Sequence, residues 1–466
     1  MVFSTTPFVW FFFPLVFVLY FVIPNRIWRN VILLLASLLF YAWGEPKFVL
    51  LMVAATLVAW VGGLLIHRFA ERCGLKKLVF VITVVLLVGN LFVFKYLGFA
   101  AENLNLLFGG TLSVPKLILP IGISFYTFQI LSYVIDLYRG NVGVQRNFFW
   151  LQLYVCFFPQ LIAGPIVRYQ TIEAEIMDRT ETLEDAVAGI KRFIVGLAKK
   201  VLIANGTAAV AELIYTTSDP AFGTAVYWIA AVAYTLQIYF DFSGYSDMAI
   251  GLGRIFGFHF LENFNYPYIS RSITDFWRRW HISLSTWFRD YIYIPLGGNR
   301  VSRPRWIVNI LIVWALTGIW HGASWNFLLW GLYYALLLLL EKLVLDKLLD
   351  KLPRVIGWVY AMFFVVLGWV LFNLTDFSQL LSTLRMMFVW QPTDWVQTVA
   401  ANSAILEGLV WLPLGILCMF PILPKLKFKD TVLGTLLSHG LHLILAGICI
   451  VFILSSSYNP FIYFRF

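Results

Sequence analysis

Long apolar segments recur along this chain, and they restrict its possible folds more than any other feature of the sequence. Segments 48–66 and 78–97, for example, are each long enough to cross the hydrocarbon core of a bilayer as a helix. Hydrophobic residues make up 61% of the chain and charged residues 12%, whereas soluble domains contain about 45–50% and about 25% of these classes. A bilayer can absorb this excess and a water-soluble core cannot, so the sequence predicts an all-α polytopic membrane protein.

Basic residues in the loops predict how the segments are oriented. The first apolar segment, 8–23, is followed by Arg26 and Arg29 and by no cleavage site, which indicates a retained span whose N-terminus lies outside. Basic and weakly charged loops then alternate as far as residue 115. We therefore assign the net charge of +10 to cytoplasmic loops beside membrane lipid, and we predict no binding of nucleic acid.

Proline, glycine and polar residues interrupt the middle of the chain. Segments 117–137 and 148–162 contain or meet proline and glycine, which predicts broken or re-entrant helices. Segment 182–202 combines one apolar stripe with many charged residues, which predicts a helix in the cytoplasmic interface of the membrane. The polar run 241–247 follows a further apolar segment, and one interpretation of it is a helix that breaks at Gly244.

The chain contains no internal repeat, low-complexity run or separate soluble domain, and we expect one membrane domain at 1–466. Within it we expect N-terminal spans at 1–114, a catalytic core at 115–345 and C-terminal spans at 346–466. The four cysteines show no metal-ligand spacing, so we predict no metal site.

The stretch 263–331 carries the residues that suggest chemistry. Its second half takes His321 into an apolar segment, roughly 20–25 Å along a helix that begins near Trp306. A titratable group at that depth is costly and therefore suggests a function. Gly322 and Ser324 directly after His321 allow a local break of the helix that could expose the ring to a cavity. His321 could be a neutral base, or it could be hydrogen-bonded between helices. The first half of the stretch contains seven arginines, at 271, 278, 279, 289, 300, 303 and 305.

Other polar residues in this region allow two interpretations each. His281 either belongs to the site or lies at the interface beside snorkelling arginines. The arginines either hold the phosphates of a cytosolic donor or anchor the topology. Asp241 and Asp247 either orient groups in a cavity or cap the broken helix. Familiar catalytic motifs are absent from the sequence. The residues alone therefore fit both group transfer from a cytosolic donor to a hydroxyl and a transporter.

Four motifs in these segments resemble the membrane-bound O-acyltransferase (MBOAT) family. They are DFWRRWHISLSTWFR at 275–289, WHG at 320–322, DFSGYSD at 241–247 and PQLIAGP at 159–165. The resemblance runs from the first span to the C-terminal residues 461–466. Within the family, FWRRWH is shared by alginate-type polysaccharide O-acetyltransferases and the D-alanyl transferases of teichoic acid. RDYIYIPLGGNR at 289–300 and YAWG at 41–44 resemble the alginate-type branch.

The resemblance implies a ring of about 11–13 transmembrane and re-entrant helices around a thinned centre with a through-tunnel. It implies an O-acyltransferase of the bacterial cytoplasmic membrane that serves an exopolysaccharide or the cell envelope. The acyl group, expected to be acetyl, would pass from a cytosolic thioester toward hydroxyl groups of an extracytoplasmic polysaccharide or a partner transferase. The alternatives are D-alanyl transfer to teichoic acid and, outside the acyltransferases, a secondary transporter.

The resemblance also implies the site residues. His321 would be the catalytic histidine that deprotonates the attacking hydroxyl, and His281 would line the same tunnel. We expect no bound cofactor, with acetyl-CoA or an acyl carrier thioester as the donor substrate. The expected outer partner is an SGNH-type acetyltransferase or the polysaccharide itself. The supporting or tunnel-lining residues would be Asp241, Ser243, Trp320, Asn326, Arg278, Arg279, Arg289 and Asp290.

Overall fold

The computed structural model describes residues 1–115, 117–217, 219–401, 403–422 and 431–455. These residues form helices joined by turns and loops, and no β-strand occurs among them. The predicted all-α fold is therefore confirmed. The C-terminal residues 461–466, to which the family resemblance extends, lie outside the described residues.

The α-helices are numbered here in chain order. They are α1 (Phe13–Val22), α2 (Arg26–Ala42), α3 (Phe48–Arg68), α4 (Cys73–Lys95), α5 (Leu97–Phe108), α6 (Ile123–Arg139), α7 (Phe148–Cys156), α8 (Tyr169–Ile172), α9 (Glu175–Asp178), α10 (Leu183–Ala198), α11 (Asn205–Thr216), α12 (Thr224–Ile255), α13 (Ile273–Arg279), α14 (Ile282–Phe288), α15 (Arg303–His321), α16 (Trp325–Leu340), α17 (Asp346–Leu349), α18 (Arg354–Asn373), α19 (Phe377–Phe388), α20 (Trp395–Ala401), α21 (Ser403–Cys418) and α22 (Val432–Ser455). π-helical turns occupy Phe8–Phe12, Lys199–Ala204, Arg289–Tyr293 and Glu341–Leu345, and a 3-10 turn occupies Pro267–Ile269.

Six helical runs among the described residues are long and apolar enough to cross a membrane. Two shorter apolar helices, Phe8–Val22 and Ser403–Cys418, accompany them. The chain is therefore a multi-pass membrane protein, as predicted. The ring, the thinned centre, the tunnel and the total of about 11–13 helices stay predictions. The six runs are Phe48–Arg68, Cys73–Lys95, Leu183–Thr216, Trp325–Leu349, Arg354–Asn373 and Val432–Ser455.

Contacts group the chain into two compact units. The first comprises Met1–Phe193 and Met248–Leu261, and the second comprises Ile194–Asp247 and Glu262–Phe466. All of the predicted site residues belong to the second unit. The expectation of one domain with parts at 1–114, 115–345 and 346–466 stays a prediction.

The first unit contains the two helices that were predicted to be broken. α6 begins only after Gly122, whose φ of 74° lies in the left-handed region that glycine adopts without strain. A Cβ at this glycine would lie 2.9 Å from the carbonyl oxygen of Leu161. α7 ends at Cys156, ahead of the turns that contain Pro159 and Gly164. Both predicted breaks are confirmed.

Two predictions about helix extent are wrong. Segment 182–202 is not a separate helix, because α10 continues through a π-turn into α11. Its location in the cytoplasmic interface stays a prediction. The whole run, Leu183–Thr216, is apolar enough to cross a membrane. The helix interpreted as breaking at Gly244 is continuous, since α12 passes through this residue. A Cβ at Gly244 would lie 2.8 Å from the carbonyl oxygen of Gly196. This glycine therefore permits close helix packing and does not end a helix.

Candidate active site

His281 forms the turn between the short helices α13 and α14. Its φ of 45° and ψ of 54° lie in the left-handed region, where a non-glycine residue costs roughly 1–2 kcal/mol. Trp280, directly before it, packs against the rings of Tyr268 and Trp369 and holds that side of the turn. His281 itself is only 1% exposed. Strained backbone at a buried histidine is an indication of function.

Asn263 connects this turn to α12 through hydrogen bonds. Its side-chain oxygen lies 3.1 Å from Nδ1 of His281 and accepts from the backbone N–H and the hydroxyl of Ser283, at 3.2 and 2.8 Å. Its side-chain nitrogen donates to Oγ of Ser246 at 3.1 Å. Its backbone carbonyl accepts from the N–H of Ile282 at 3.0 Å. One fully buried asparagine therefore determines both the path of the turn and the hydrogen bonding of the imidazole.

The rest of the His281 surroundings is aromatic. The ring of Phe242 meets the imidazole edge-on at 4.6 Å between centroids, and Trp320 and Phe264 lie at 6.1 and 6.5 Å. Burial among these rings lowers the pKa of His281 to about 3, because the charged form loses its hydration. The imidazole is therefore neutral at physiological pH.

His321 is the last residue of α15. The helix ends there because Gly322 takes an extended conformation, with φ of −176° and ψ of 160°. Ser324 is also extended, and α16 begins at Trp325. The break that was predicted from Gly322 and Ser324 is confirmed, and it places His321 at the tip of a helical hairpin.

Glycines bring the two arms of this hairpin into backbone contact. A Cβ at Gly318 of α15 would collide with the carbonyl oxygen of Phe327, and one at Gly331 of α16 would collide with that of Trp314. Any larger residue at either position would push the helices apart. The close packing therefore holds the end of α15, and His321 with it, in a defined position.

Aromatic rings enclose His321. Trp330 of α16 and Phe372 of α18 both meet the imidazole edge-on, at 5.0 and 5.1 Å between centroids. The indole of Trp320 lies at 5.0 Å from the same ring. His321 is 5% exposed. Trp320 also contacts the ring of His281, so the structure brings both predicted histidines close to one indole. Their catalytic roles stay predictions.

Asp241 and Ser243 are buried in α12. Asp241 forms an ion pair with Lys200 at 2.6 Å, and both side chains are 2% exposed. Asp247 pairs with Lys199, also at 2.6 Å. These pairs compensate the charges of two adjacent lysines in the π-turn between α10 and α11. They explain how the helix continues through these two charged residues.

The α12 residues that contact the His281 turn are Phe242 and Ser246, which the sequence analysis did not select. Four residues apart, they lie on one face of the helix. Phe242 packs on the imidazole, and Ser246 accepts the hydrogen bond from Asn263. The spacing within DFSGYSD was available in the sequence, but the partner of this helix face was not.

Two further buried polar residues fix the supporting helices. Asn326 is fully buried in the first turn of α16, and its side-chain nitrogen lies 3.5 Å from the carbonyl oxygen of Leu371 in α18. Glu341, the first residue of the π-helical turn after α16, is also fully buried. Its carboxylate accepts from the N–H groups of Ile273 and Thr274 and from the Thr274 hydroxyl. It therefore caps the N-terminus of α13, which leads to His281.

Two of the predicted arginines form ion pairs with acidic residues close to them in the sequence. Arg279 pairs with Asp275 one turn earlier in α13, at 2.8 Å. Arg289 pairs with its neighbour Asp290, at 2.6 and 3.2 Å, and this hydrogen bond raises the pKa of Arg289. Arg278 is exposed, and no ion pair involves it within the described part of the chain. The structure shows local pairing for two of these arginines, and donor binding by any of them stays a prediction.

Comparisons with known proteins agree with one another. Residues 144–384 match the model of MBOAT, the membrane-bound O-acyltransferase family. The chain is 45% identical to the probable alginate O-acetylase AlgI of Azotobacter vinelandii, over 80% of this chain and 75% of that protein. It is 38% identical to the protein of the same name from Pseudomonas putida, over 100% of both chains. It is 34% identical to the peptidoglycan O-acetyltransferase of Helicobacter pylori, over 83% of this chain and 80% of that protein.

Proposed function

The chain belongs to the membrane-bound O-acyltransferase family, and we propose that it moves an acetyl group from a cytosolic thioester toward an extracytoplasmic polysaccharide. The observation that carries the proposal is the placement of two buried histidines, His281 and His321, against the indole of Trp320. The site offers a general base among aromatic rings. That combination suits the transfer of a neutral acyl group to a hydroxyl.

The names of the relatives support acetyl as the group and a polysaccharide as the acceptor. Two of them are named alginate O-acetylases and one a peptidoglycan O-acetyltransferase. We propose that this chain serves a polysaccharide of the same general class, outside the bacterial cytoplasmic membrane. An SGNH-type transferase on that side is the proposed carrier of the acetyl group from this chain to the polymer.

In the proposed reaction, His321 takes the proton of the acceptor hydroxyl as its oxygen attacks the thioester carbonyl. The tetrahedral intermediate then collapses, so that a carbon–oxygen bond replaces the carbon–sulfur bond. The thiolate leaves with the electron pair of that bond and takes the proton back from the imidazolium. The exclusion of water by Trp330 and Phe372 protects the acyl group from hydrolysis.

The donor is proposed to approach the exposed arginines of the second unit. Arg271 precedes α13 and Arg278 lies in its last turn, and neither has an ion-pair partner among the described residues. Guanidinium groups bind phosphates in a bidentate manner, as acetyl-CoA would require. The carboxylates of an acyl carrier protein would use the same groups. This proposal concerns the approach of the donor only.

The test is acetyl transfer from radiolabelled acetyl-CoA in inverted membrane vesicles that contain wild type or His321→Ala at matched expression. The control is His439→Ala, because His439 is a half-buried histidine of α22 whose Nδ1 lies 2.8 Å from the carbonyl oxygen of Thr435 in the same helix. The proposal expects label incorporation by wild type and by the control, and loss of it in His321→Ala. Full activity of His321→Ala would refute the catalytic base. If wild type transfers D-alanine from its carrier protein and no acetyl group, the D-alanyl alternative replaces the present proposal.

A further inference from the structure

The atom of Asn263 that faces His281 can be identified from the groups around it. A backbone N–H can only donate, and that of Ser283 lies 3.2 Å from the Asn263 side-chain atom in question. This atom is therefore the amide oxygen and not the amide nitrogen. The opposite end of the side chain faces Oγ of Ser246 at 3.1 Å, which suits the NH2 group as donor.

The same oxygen determines the tautomer of the imidazole. Nδ1 of His281 lies 3.1 Å from it. An amide oxygen only accepts hydrogen bonds, so Nδ1 must supply the hydrogen. Because the buried ring is neutral, its single N–H proton is then at Nδ1 and its lone pair is at Nε2.

We propose that Asn263 is a positioning residue that holds His281 as the Nδ1–H tautomer, so that Nε2 accepts a hydrogen bond from the acceptor hydroxyl. The assignment deepens the proposed acyl transfer and rests on it. In this arrangement His281 orients the hydroxyl whose proton His321 removes. It does not donate to the developing oxyanion, because a neutral Nε2 carries no hydrogen.

The strained turn and the asparagine depend on each other. In the left-handed conformation at His281, the N–H of Ser283 points at the Asn263 side chain, and the Ser283 hydroxyl donates to the same oxygen at 2.8 Å. Three donors thus converge on one amide oxygen. A different backbone conformation at His281 would separate Nδ1 from this oxygen and release the tautomer.

A purely structural role for Asn263 makes a different prediction. The loop 263–265 also contacts the turn through main-chain bonds, from Ile282 N–H to the carbonyl of Asn263 at 3.0 Å and from Asn265 N–H to the carbonyl of Arg279 at 2.9 Å. Replacing the Asn263 side chain leaves both bonds available. If Asn263 has only a structural role, a folded variant without its side chain should keep the same tautomer of His281 and the same activity.

The experiment is nitrogen NMR of the full chain in detergent micelles, with 15N-labelled histidine. The chain has six histidines, and the His281→Gln variant identifies the signals of His281. In wild type the Nδ1 shift of His281 should be that of a protonated nitrogen and the Nε2 shift that of an unprotonated one. The opposite pattern in wild type overturns the proposal.

Two variants of Asn263 sharpen the test. Asn263→Asp retains an oxygen that accepts from Nδ1 and should keep the proton there. Asn263→Leu removes the acceptor, so its His281 should populate the Nε2–H form, and kcat for acetyl transfer should fall by roughly 10- to 100-fold. The KM for the donor should not change. An unchanged tautomer and an unchanged kcat in Asn263→Leu would contradict the proposal. If the leucine variant does not fold, the protonation of Nδ1 in wild type and in Asn263→Asp decides the proposal instead.

Asn309→Ala is the matched control, because Asn309 is also buried in the second unit and bonds the carbonyl oxygens of Leu296 and Gly298. It should lower stability without changing the His281 signals. The NMR result separates this inference from the proposed function. Failure of wild type to transfer acetyl groups, with Nδ1 protonated, would refute the function and leave the tautomer established. A wrong tautomer in an active enzyme would refute the positioning role alone.

Discussion

His281 and His321 contact the same indole, but the protein holds them by different means. His281 lies in a strained turn, and its Nδ1 is hydrogen-bonded to a buried asparagine. His321 ends a helix, and rings from α15, α16 and α18 surround it. A hydrogen bond selects the nitrogen that carries the proton, whereas an edge-on aromatic contact fixes where a ring lies.

This difference fits different roles of the two histidines in the proposed reaction. The catalytic base must gain and lose a proton during each turnover, and the rings around His321 fix where its imidazole lies. A group that orients a hydroxyl must keep one protonation state, as the Asn263 contact does for His281. The four predictions below test this comparison, beginning with the largest expected effect.

Replacing His321 should have the largest effect. His321→Ala should lower kcat for acetyl transfer by roughly 10³-fold, because the hydroxyl would lose its general base. The measurement is initial rates with radiolabelled acetyl-CoA in vesicles, with expression checked by immunoblot. A loss smaller than that of the corresponding His281 variant would reverse the roles assigned to the two histidines.

Replacing His281 should have a smaller effect on the same reaction. In His281→Gln the amide can still accept a hydrogen bond but is less well placed, and we expect kcat to fall by roughly 10²-fold. The loss should not become larger when His321 is already alanine. His439→Gln serves as the control. Additive losses in the double variant would show that the two histidines act independently.

Acid should destabilise the fold through His281. Its pKa is about 3 in the folded protein and 6.5 ordinarily. Between these values the unfolded chain binds the proton and the folded protein does not. Stability from this group is therefore complete above about pH 6.5 and falls by about 1.4 kcal/mol per pH unit on acidification toward pH 3. Thermal unfolding in detergent at pH 7, 6 and 5 measures the slope. His281→Gln should make the slope shallower, and an unchanged slope would contradict the prediction.

Conservative replacement of the shared ring should have the smallest effect. Trp320→Phe retains an aromatic ring near both histidines, but the phenyl ring is smaller than the indole. We therefore expect kcat to fall by only about threefold and the surroundings of both histidines to change. NMR of the labelled histidines would detect shifts in both rings. Shifts confined to His321 would show that Trp320 does not connect the two environments.

Local sequence signals predicted much of the secondary structure. Apolar length identified the spans at α3 and α4, and glycine and proline identified the interruptions before α6, after α7 and after His321. These signals are reliable because backbone N–H and C=O groups in a bilayer must form hydrogen bonds within the chain. The length of a spanning helix and the residues that interrupt it can therefore be read from the local sequence.

The same signals failed where residues distant in the sequence compensate a local pattern. Charged residues in 182–202 suggested a surface helix, but Lys199 and Lys200 pair with carboxylates of α12. Gly244 suggested a break, but it provides space for a neighbouring backbone. Neither partner is close in sequence, so the residues alone could not indicate it.

By itself the sequence determined an all-α membrane protein with His321 at a helix break and His281 beside a cluster of arginines. Only the tertiary structure decided that both histidines contact Trp320, that Asn263 sets one of them, and that Glu341 caps the helix before it. The reason is that helix formation depends on neighbours within a few residues. The chemistry of a buried imidazole instead depends on the partners that helix packing brings to it.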